Sequence, residues 1–182
     1  SRETAIDRAF AEVEGLEQSM SLWRKDSELV RATARAAETA VPLSPDLFRV
    51  LSMAVGIADE SDGAFDPTVG PLVRLWGFLG GGRARVPAEA DVATARARVG
   101  WRRLRLEPEG RTLRIDGAGC EIDLGAIGKG YAVDRAIEVL RAAGAAAAVV
   151  DFSGNLRAFG RPAPVDVQHP REGDAPLATL VL

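Results

Sequence analysis

Asp123-Leu-Gly-Ala-Ile-Gly-Lys-Gly-Tyr-Ala-Val-Asp134 is the stretch on which the reading of this chain turns. The apolar residues Cys120 to Leu124 read as a short strand, which ends beside an acidic residue and enters a loop holding Gly125, Gly128 and Gly130. The spacing then predicts a helix from Lys129 to Ala143, with Val133, Ile137 and Leu140 on one face and Gly144 at its end. N–H groups exposed at such a helix start, with glycines permitting close backbone approach, suit a phosphate or diphosphate. Of 23 Lys+Arg residues, only Lys25 and Lys129 are lysines. A compact ammonium kept among arginines is not interchangeable with a guanidinium. The competing reading is a packing turn between strand and helix; Asp123 and Lys129 favour an anion site.

Two common phosphate loops fail on spacing. A P-loop needs glycine at 123 and Ser or Thr at 130, where Asp123 and Gly130 stand. The dinucleotide fingerprint needs Gly or Ala where Val133 stands.

Working outward, Ala145 to Phe152 and Leu156 to Phe159 read as strands flanking the turn Ser153-Gly-Asn155, and Leu177 to Leu182 as a further apolar strand. Leu104/Leu106 and Leu113/Ile115 alternate about Pro108-Glu-Gly110 as a hairpin, and Trp101 to Leu106 alternates like a strand with a solvated arginine face. Upstream, Ile6, Phe10, Val13, Leu16 and Met20 follow helical spacing. Ser21 to Pro42 is polar, with Trp23 and an Asp26-Ser-Glu-Leu29 turn. Ser44, Pro45 and Asp46 start a helix whose buried face is Leu47, Phe48, Leu51, Val55 and Ala58, with Gly63 after its end. Gly80 to Gly82 reads as a flexible loop and Pro87 to Val99 as a weaker helix. Helices first and mostly adjacent strands later make the class α+β, a largely antiparallel sheet core flanked by helices.

With 182 residues, 47% hydrophobic and 27% charged, the composition is that of a globular protein able to bury a core. A net charge of −3 without a basic, aromatic-interleaved stripe gives no nucleic-acid footprint. No apolar run is long enough to span a bilayer. Cys120 is the only cysteine, so no intrachain disulfide forms. No stretch of the sequence reads as a signal peptide, but both ends read as cut, so this carries no expectation about targeting.

Gly63-Ala-Phe-Asp-Pro-Thr-Val-Gly-Pro-Leu72 follows the long helix, with Trp76-Gly-Phe78 shortly after. Pro67 and Pro71 restrict Asp66 and Gly70. The loop is therefore stiff, and a fixed aromatic beside a carboxylate is one way to grip a flat heterocycle. The competing reading makes Phe65 and Trp76 core and Asp66 a turn cap.

Met20-Ser-Leu-Trp23 with Asp26-Ser-Glu-Leu29, Gly63 to Leu72 with Trp76-Gly-Phe78, Asp123 to Asp134, and the Ser-Gly-Asn turn at 153 to 155 occur here in one order. Together they resemble the FAD:protein FMN transferase (ApbE) family, once described as thiamine-biosynthesis lipoproteins. The resemblance implies an ApbE/T-fold-like domain over residues 1–182, incomplete for want of the family's amino-terminal strand and carboxy-terminal part. It implies transfer of FMN from FAD to a Ser or Thr hydroxyl of a target flavoprotein, releasing AMP and requiring Mg²⁺. Carried over by position, Trp23, Ala64, Phe65, Asp66, Asp123 and Lys129 match FAD contacts. Ala126 matches a metal ligand acting through its carbonyl; no residue here matches a catalytic base. An FAD-binding or carrier module without transfer is the alternative, and a generic α+β interaction domain a third.

The sequence departs from the family pattern at Thr33, where Asn is usual, and at Ser153, where Gly is usual. The family's Met-Gly-Thr strand, its His-Ile-Ile-Asp-Pro-like segment and the Asp and Thr completing its metal site are absent. His169, in a Gln-His-Pro context, matches no functional histidine and reads as a surface residue at a strand end. The family implies a periplasmic or inner-membrane location in a bacterium, through a lipid anchor upstream of Ser1, and leaves a cytoplasmic location open.

Overall fold

The structure is a computed structural model that describes residues 2–79, 86–173 and 175–182. The glycine loop expected at Gly80 to Gly82 lies outside the described residues. The chain divides into two compact units, one of residues 15–128 and one of residues 1–14 with 129–182.

The first unit packs helices on a small antiparallel sheet. Helix α1 spans Arg2–Met20, and its Leu16 and Met20 are buried. Helix α2, Glu28–Ala36, buries Leu29, Ala32 and Ala36. Ser27 caps it by accepting from the Val30 amide. From sequence the segment reads as a polar turn, because two of the helix's three buried positions are alanine. Glu28 ties the elements together: its carboxylate accepts from Ser19 Oγ at 2.7 Å, the Ser44 amide at 2.6 Å and Ser44 Oγ at 2.7 Å.

Ser44 in turn caps helix α3, Pro45–Glu60, with proline in its first turn as expected. Its buried face is Leu47, Val50, Leu51, Ala54 and Ala58. Val50 and Ala54 replace the expected Phe48 and Val55, which are only half-buried. Strands β1 (Val41–Pro42), β2 (Leu104–Glu107) and β3 (Thr112–Ile115) form a sheet in the order β1-β3-β2. The expected hairpin is present, with Leu104 opposite Ile115 and Leu106 opposite Leu113. The preceding residues, Trp101–Arg103, form a 3₁₀ turn instead of the charged strand expected from their alternation. Leu29, Leu47, Leu51, Leu113, Ile115 and Ile122 are fully buried. Each such side chain is worth roughly 1.5–3 kcal/mol relative to exposure. Helices α4 (Gly70–Leu75) and α5 (Glu89–Arg96) complete the unit.

In the second unit α1 contributes Ala5 and Ala9 to a buried cluster with Ala136 and Leu140 of helix α6, Gly128–Ala142. The helical face expected there is corrected: Ile6 is 51% and Phe10 65% exposed, because the small alanines permit closer packing. Val133, Ile137 and Leu140 are buried as expected, and Gly144 closes the helix at φ +81°. Strands β4 (Ala148–Phe152) and β5 (Asn155–Phe159) form a hairpin. Its turn residues Ser153 and Gly154 both have positive φ, 50° and 90°. A two-residue turn of that kind favours glycine at both positions, which fits the departure at Ser153 that the resemblance implies. Strands β6 (Pro164–Gln168) and β7 (Pro176–Val181) pair antiparallel. His169 follows β6, and its Nδ1 accepts from the amides of Arg171 and Glu172, so it organises a turn.

Candidate functional site

The stiff loop after α3 is built from the glycine outward. Gly63 has φ +81°, and a Cβ there would lie 2.3 Å from the Trp101 ring. Only glycine satisfies both the backbone and the close approach. Trp101 is itself fixed, donating from Nε1 to Asp59 Oδ1 at 2.6 Å. The Phe65 amide donates to Ser61 Oγ at 3.1 Å. Asp66 Oδ1 accepts from the Thr68 amide at 2.8 Å and Thr68 Oγ1 at 2.6 Å, while Oδ2 accepts from the Trp101 amide at 3.2 Å. Thr68, fully buried, accepts from the Gly100 amide at 2.7 Å. Asp66 therefore braces its own loop, as the turn-cap reading holds. Ala64 is exposed, and Phe65 is half-buried beside it. Gly70, expected outside the helical region, opens α4, with Pro71 in its first turn.

A second segment lies against this loop. The Asp123 amide donates to the Pro67 carbonyl at 2.8 Å, and Val69 bridges Glu121 in parallel. A Cβ on Gly70 would stand 2.7 Å from the Glu121 carbonyl oxygen, so the two backbones meet there. Cys120 to Leu124 is thus not a regular strand; it is extended chain with one bridge, lying along a loop. Asp123 Oδ1 accepts from the Gly125 amide at 2.8 Å, and the Leu124 carbonyl accepts from the amides of Ile127 and Gly128. Gly125 and Ala126 are exposed between them.

Lys129 is exposed in the first turn of α6 and has no ion-pair partner among the described residues. A Cβ at Gly128 or at Gly130 would meet nothing within 4 Å. Neither glycine is demanded by packing or by a positive φ, which leaves room for another molecule to approach the backbone.

A cavity of about 370 Å³ in the first unit is lined by Trp23, Lys25, Thr33, Arg74, Cys120 and Glu121, among others. Trp23 is 65% exposed. Arg74 donates from Nε and Nη2 to the same Glu121 oxygen, each at 2.8 Å. This carboxylate raises the Arg74 pKa, against the opposite pull of burial, so the guanidinium stays charged. The Cys120 thiol is pushed up to about 11, chiefly by burial. It is a neutral wall group at ordinary pH.

Of the residues singled out in the sequence, Asp66 and Asp123 are brought together by their loops, and Trp23 faces the cavity. Ala64, Phe65, Asp66 and Asp123 do not line that cavity. The ion pair of Arg74 and Glu121 was not foreseen, since 47 residues separate the partners. Among the described residues, no three His, Cys, Asp or Glu side chains cluster as metal ligands. An exposed alanine carbonyl falls short of the oxygen ligands that Mg²⁺ requires. The described residues do not by themselves make a magnesium site.

Comparison with known proteins gives a consistent result. The chain is 36% identical over 161 residues to an FAD:protein FMN transferase of Vibrio cholerae, covering 87% of this chain and 46% of the relative. It is 33% identical to one of Treponema pallidum, covering 86% of this chain and 44% of the relative. The chain thus spans about half the length of the curated relatives it matches. Among solved structures, the Pseudomonas stutzeri flavinyl transferase ApbE in its apo form superposes with TM-score 0.86 at 31% identity, over 100% of this chain and 58% of that one. The ApbE protein of Thermotoga maritima superposes with TM-score 0.89 at 26% identity, over 99% and 60%. Residues 2–182 match the ApbE family, and the chain belongs to it.

Proposed function

We propose that the complete protein is an FAD:protein FMN transferase. The observation that carries this reading is the joining of the Gly63 to Leu72 loop to the Asp123 segment through Asp123 N and Pro67 O. Two motifs far apart in sequence, each matched to FAD contacts by the family resemblance, meet on one rigid framework.

In the reaction, a Ser or Thr hydroxyl oxygen of the target attacks the FMN phosphorus of FAD. The bond from that phosphorus to the bridging oxygen breaks, AMP leaves with the bridging oxygen, and the hydroxyl proton passes to a base. Catalysis then requires positioning and neutralisation of charge on the diphosphate. Lys129, at a helix start where Gly128 and Gly130 leave open space, supplies a point charge for it. Asp66 acts by tying its own loop to Thr68 and the Trp101 amide, while Ser61 holds the Ala64 and Phe65 amides. Trp23 offers an exposed ring for stacking against a flat heterocycle.

Mg²⁺, when bound, supplies further neutralisation of the diphosphate. The Ala126 carbonyl is the one donor that this chain's match to the family offers it. Family resemblance also supports a lipid-anchored, periplasm-facing location in a bacterium. Incubating the complete protein with FAD, Mg²⁺ and a candidate flavoprotein tests the function, read as fluorescent flavin on the denatured target together with AMP release. FAD binding without AMP release would make the protein a flavin carrier instead.

A further inference from the structure

The cavity beside Trp23 contains a group that folding leaves unsatisfied. Thr33 Oγ1 is buried and has no hydrogen-bond partner among the described residues. A buried hydroxyl in that state costs about 1–3 kcal/mol. Thr33 lines this cavity and also the neighbouring one of about 430 Å³, so a turn of its side chain brings the enclosed hydroxyl to a molecule entering either. A polar ligand atom would remove the penalty.

The same wall is cationic. Both Arg74 contacts to Glu121 use Nε and Nη2, which leaves Nη1 and its two hydrogens without a protein acceptor among the described residues. The Arg74 side chain is 54% exposed. Lys25 lines the cavity as well and has no ion-pair partner among the described residues. Glu121 offsets one of the two positive charges and fixes the guanidinium edge-on; one positive charge remains uncompensated. An aromatic ring, a spare guanidinium edge, an ammonium and an orphan hydroxyl around one cavity match a flavin nucleotide. Its ring is flat and its phosphate anionic.

We infer that Lys25 and Arg74 bind a phosphate of FAD in this cavity, with Glu121 as the positioning residue for Arg74 and the Thr33 hydroxyl bonding the same nucleotide. The inference rests on the FAD-transferase reading and adds a phosphate contact separate from Lys129.

Binding of FAD and of riboflavin, which has no phosphate, is measured by fluorescence titration on the complete protein across a series of KCl concentrations. In the double variant Lys25→Gln/Arg74→Gln, the FAD Kd should rise about tenfold or more, while the riboflavin Kd changes by less than about twofold. The dependence of FAD affinity on salt should flatten, because exposed charge contacts are screened. Thr33→Val should raise the melting temperature of the ligand-free protein and yet weaken FAD binding, opposite signs that a purely structural hydroxyl does not produce. Unchanged FAD affinity and salt dependence in the double variant, or equal weakening of FAD and riboflavin, would overturn the inference while leaving the transferase reading intact. A wild-type protein that binds neither flavin would remove the transferase reading itself.

Discussion

The Asp123 amide donates to the carbonyl of Pro67 at 2.8 Å, joining the two segments on which the functional reading depends. Val69 bridges Glu121 two residues from each of those partners, and Gly70 lies against the Glu121 backbone. The proline-restricted loop and the Asp123 segment therefore hold each other in place.

Gly70→Ala tests that contact. The added Cβ would stand 2.7 Å from the Glu121 carbonyl oxygen, and both atoms belong to backbone that is held on each side. Forcing the segments apart should cost about 1–3 kcal/mol. Thermal melting reads the cost, and a melting temperature equal to wild type would mean that the two segments separate freely.

Glu28→Ala should destabilise the protein by about 2–4 kcal/mol, because it strands donors from Ser19 and Ser44 in a half-buried setting. Urea unfolding gives the number. Glu28→Gln keeps the shape and one acceptor, and should lose less. An equal shift of the unfolding midpoint in both variants would place the whole effect in the carboxylate's charge and second acceptor oxygen, and none of it in side-chain volume.

Much of this framework was legible in the sequence, and the exceptions have physical causes. Ser44-Pro45-Asp46 marked α3 because a cap, a first-turn proline and an early acid are local signals. The α6 face and the hairpin of Leu104 and Ile115 followed from periodicity. Helix α2 was missed because Ala32 and Ala36 carry the burial that larger residues usually announce. Trp101 departs from its alternation because Asp59 and Asp66, distant in sequence, take its ring N–H and its amide. In the candidate site, the motif residues could be named in advance, but the cavity could not. In the sequence Thr33 stands out only as a departure from the family pattern, and the charge pair of Arg74 and Glu121 depends on tertiary contact alone.

The Cys120 thiol carries a pH prediction. Its folded pKa is pushed up to about 11, by burial first, with Arg103 opposing and Asp66 and Glu121 adding to the rise. An unfolded cysteine titrates near ~8.5. As pH climbs between these values the unfolded chain gives up the proton while the folded chain keeps it, so stability falls. Below the unfolded value the loss is absent. Cys120→Ala should show a smaller drop in melting temperature across that alkaline window than wild type. Iodoacetamide should label Cys120 slowly at pH 8; rapid labelling there would mean an exposed or activated thiol.

Lys129 separates chemistry from folding. It is exposed and without an ion-pair partner among the described residues, and a cation in a first helical turn gains nothing from the helix dipole. Lys129→Ala should therefore leave the melting temperature within about 2 °C of wild type. Its kcat/KM for FMN transfer should fall by about tenfold or more. Lys129→Arg should also be impaired, since a planar fork does not reproduce a compact point charge. Transfer that is retained in both variants, or lost only in step with stability, would make Lys129 structural.

The most direct measurement is the intact mass of a target flavoprotein after incubation with the complete protein, FAD and Mg²⁺. Its acceptor Ser or Thr is compared with an alanine variant at the same position. A transferase adds one FMN to the hydroxyl-bearing target, releases one AMP for each FMN added, and leaves the alanine variant unmodified. An unmodified target, with FAD bound to the protein and no AMP released, would show that the site holds the dinucleotide without cleaving it.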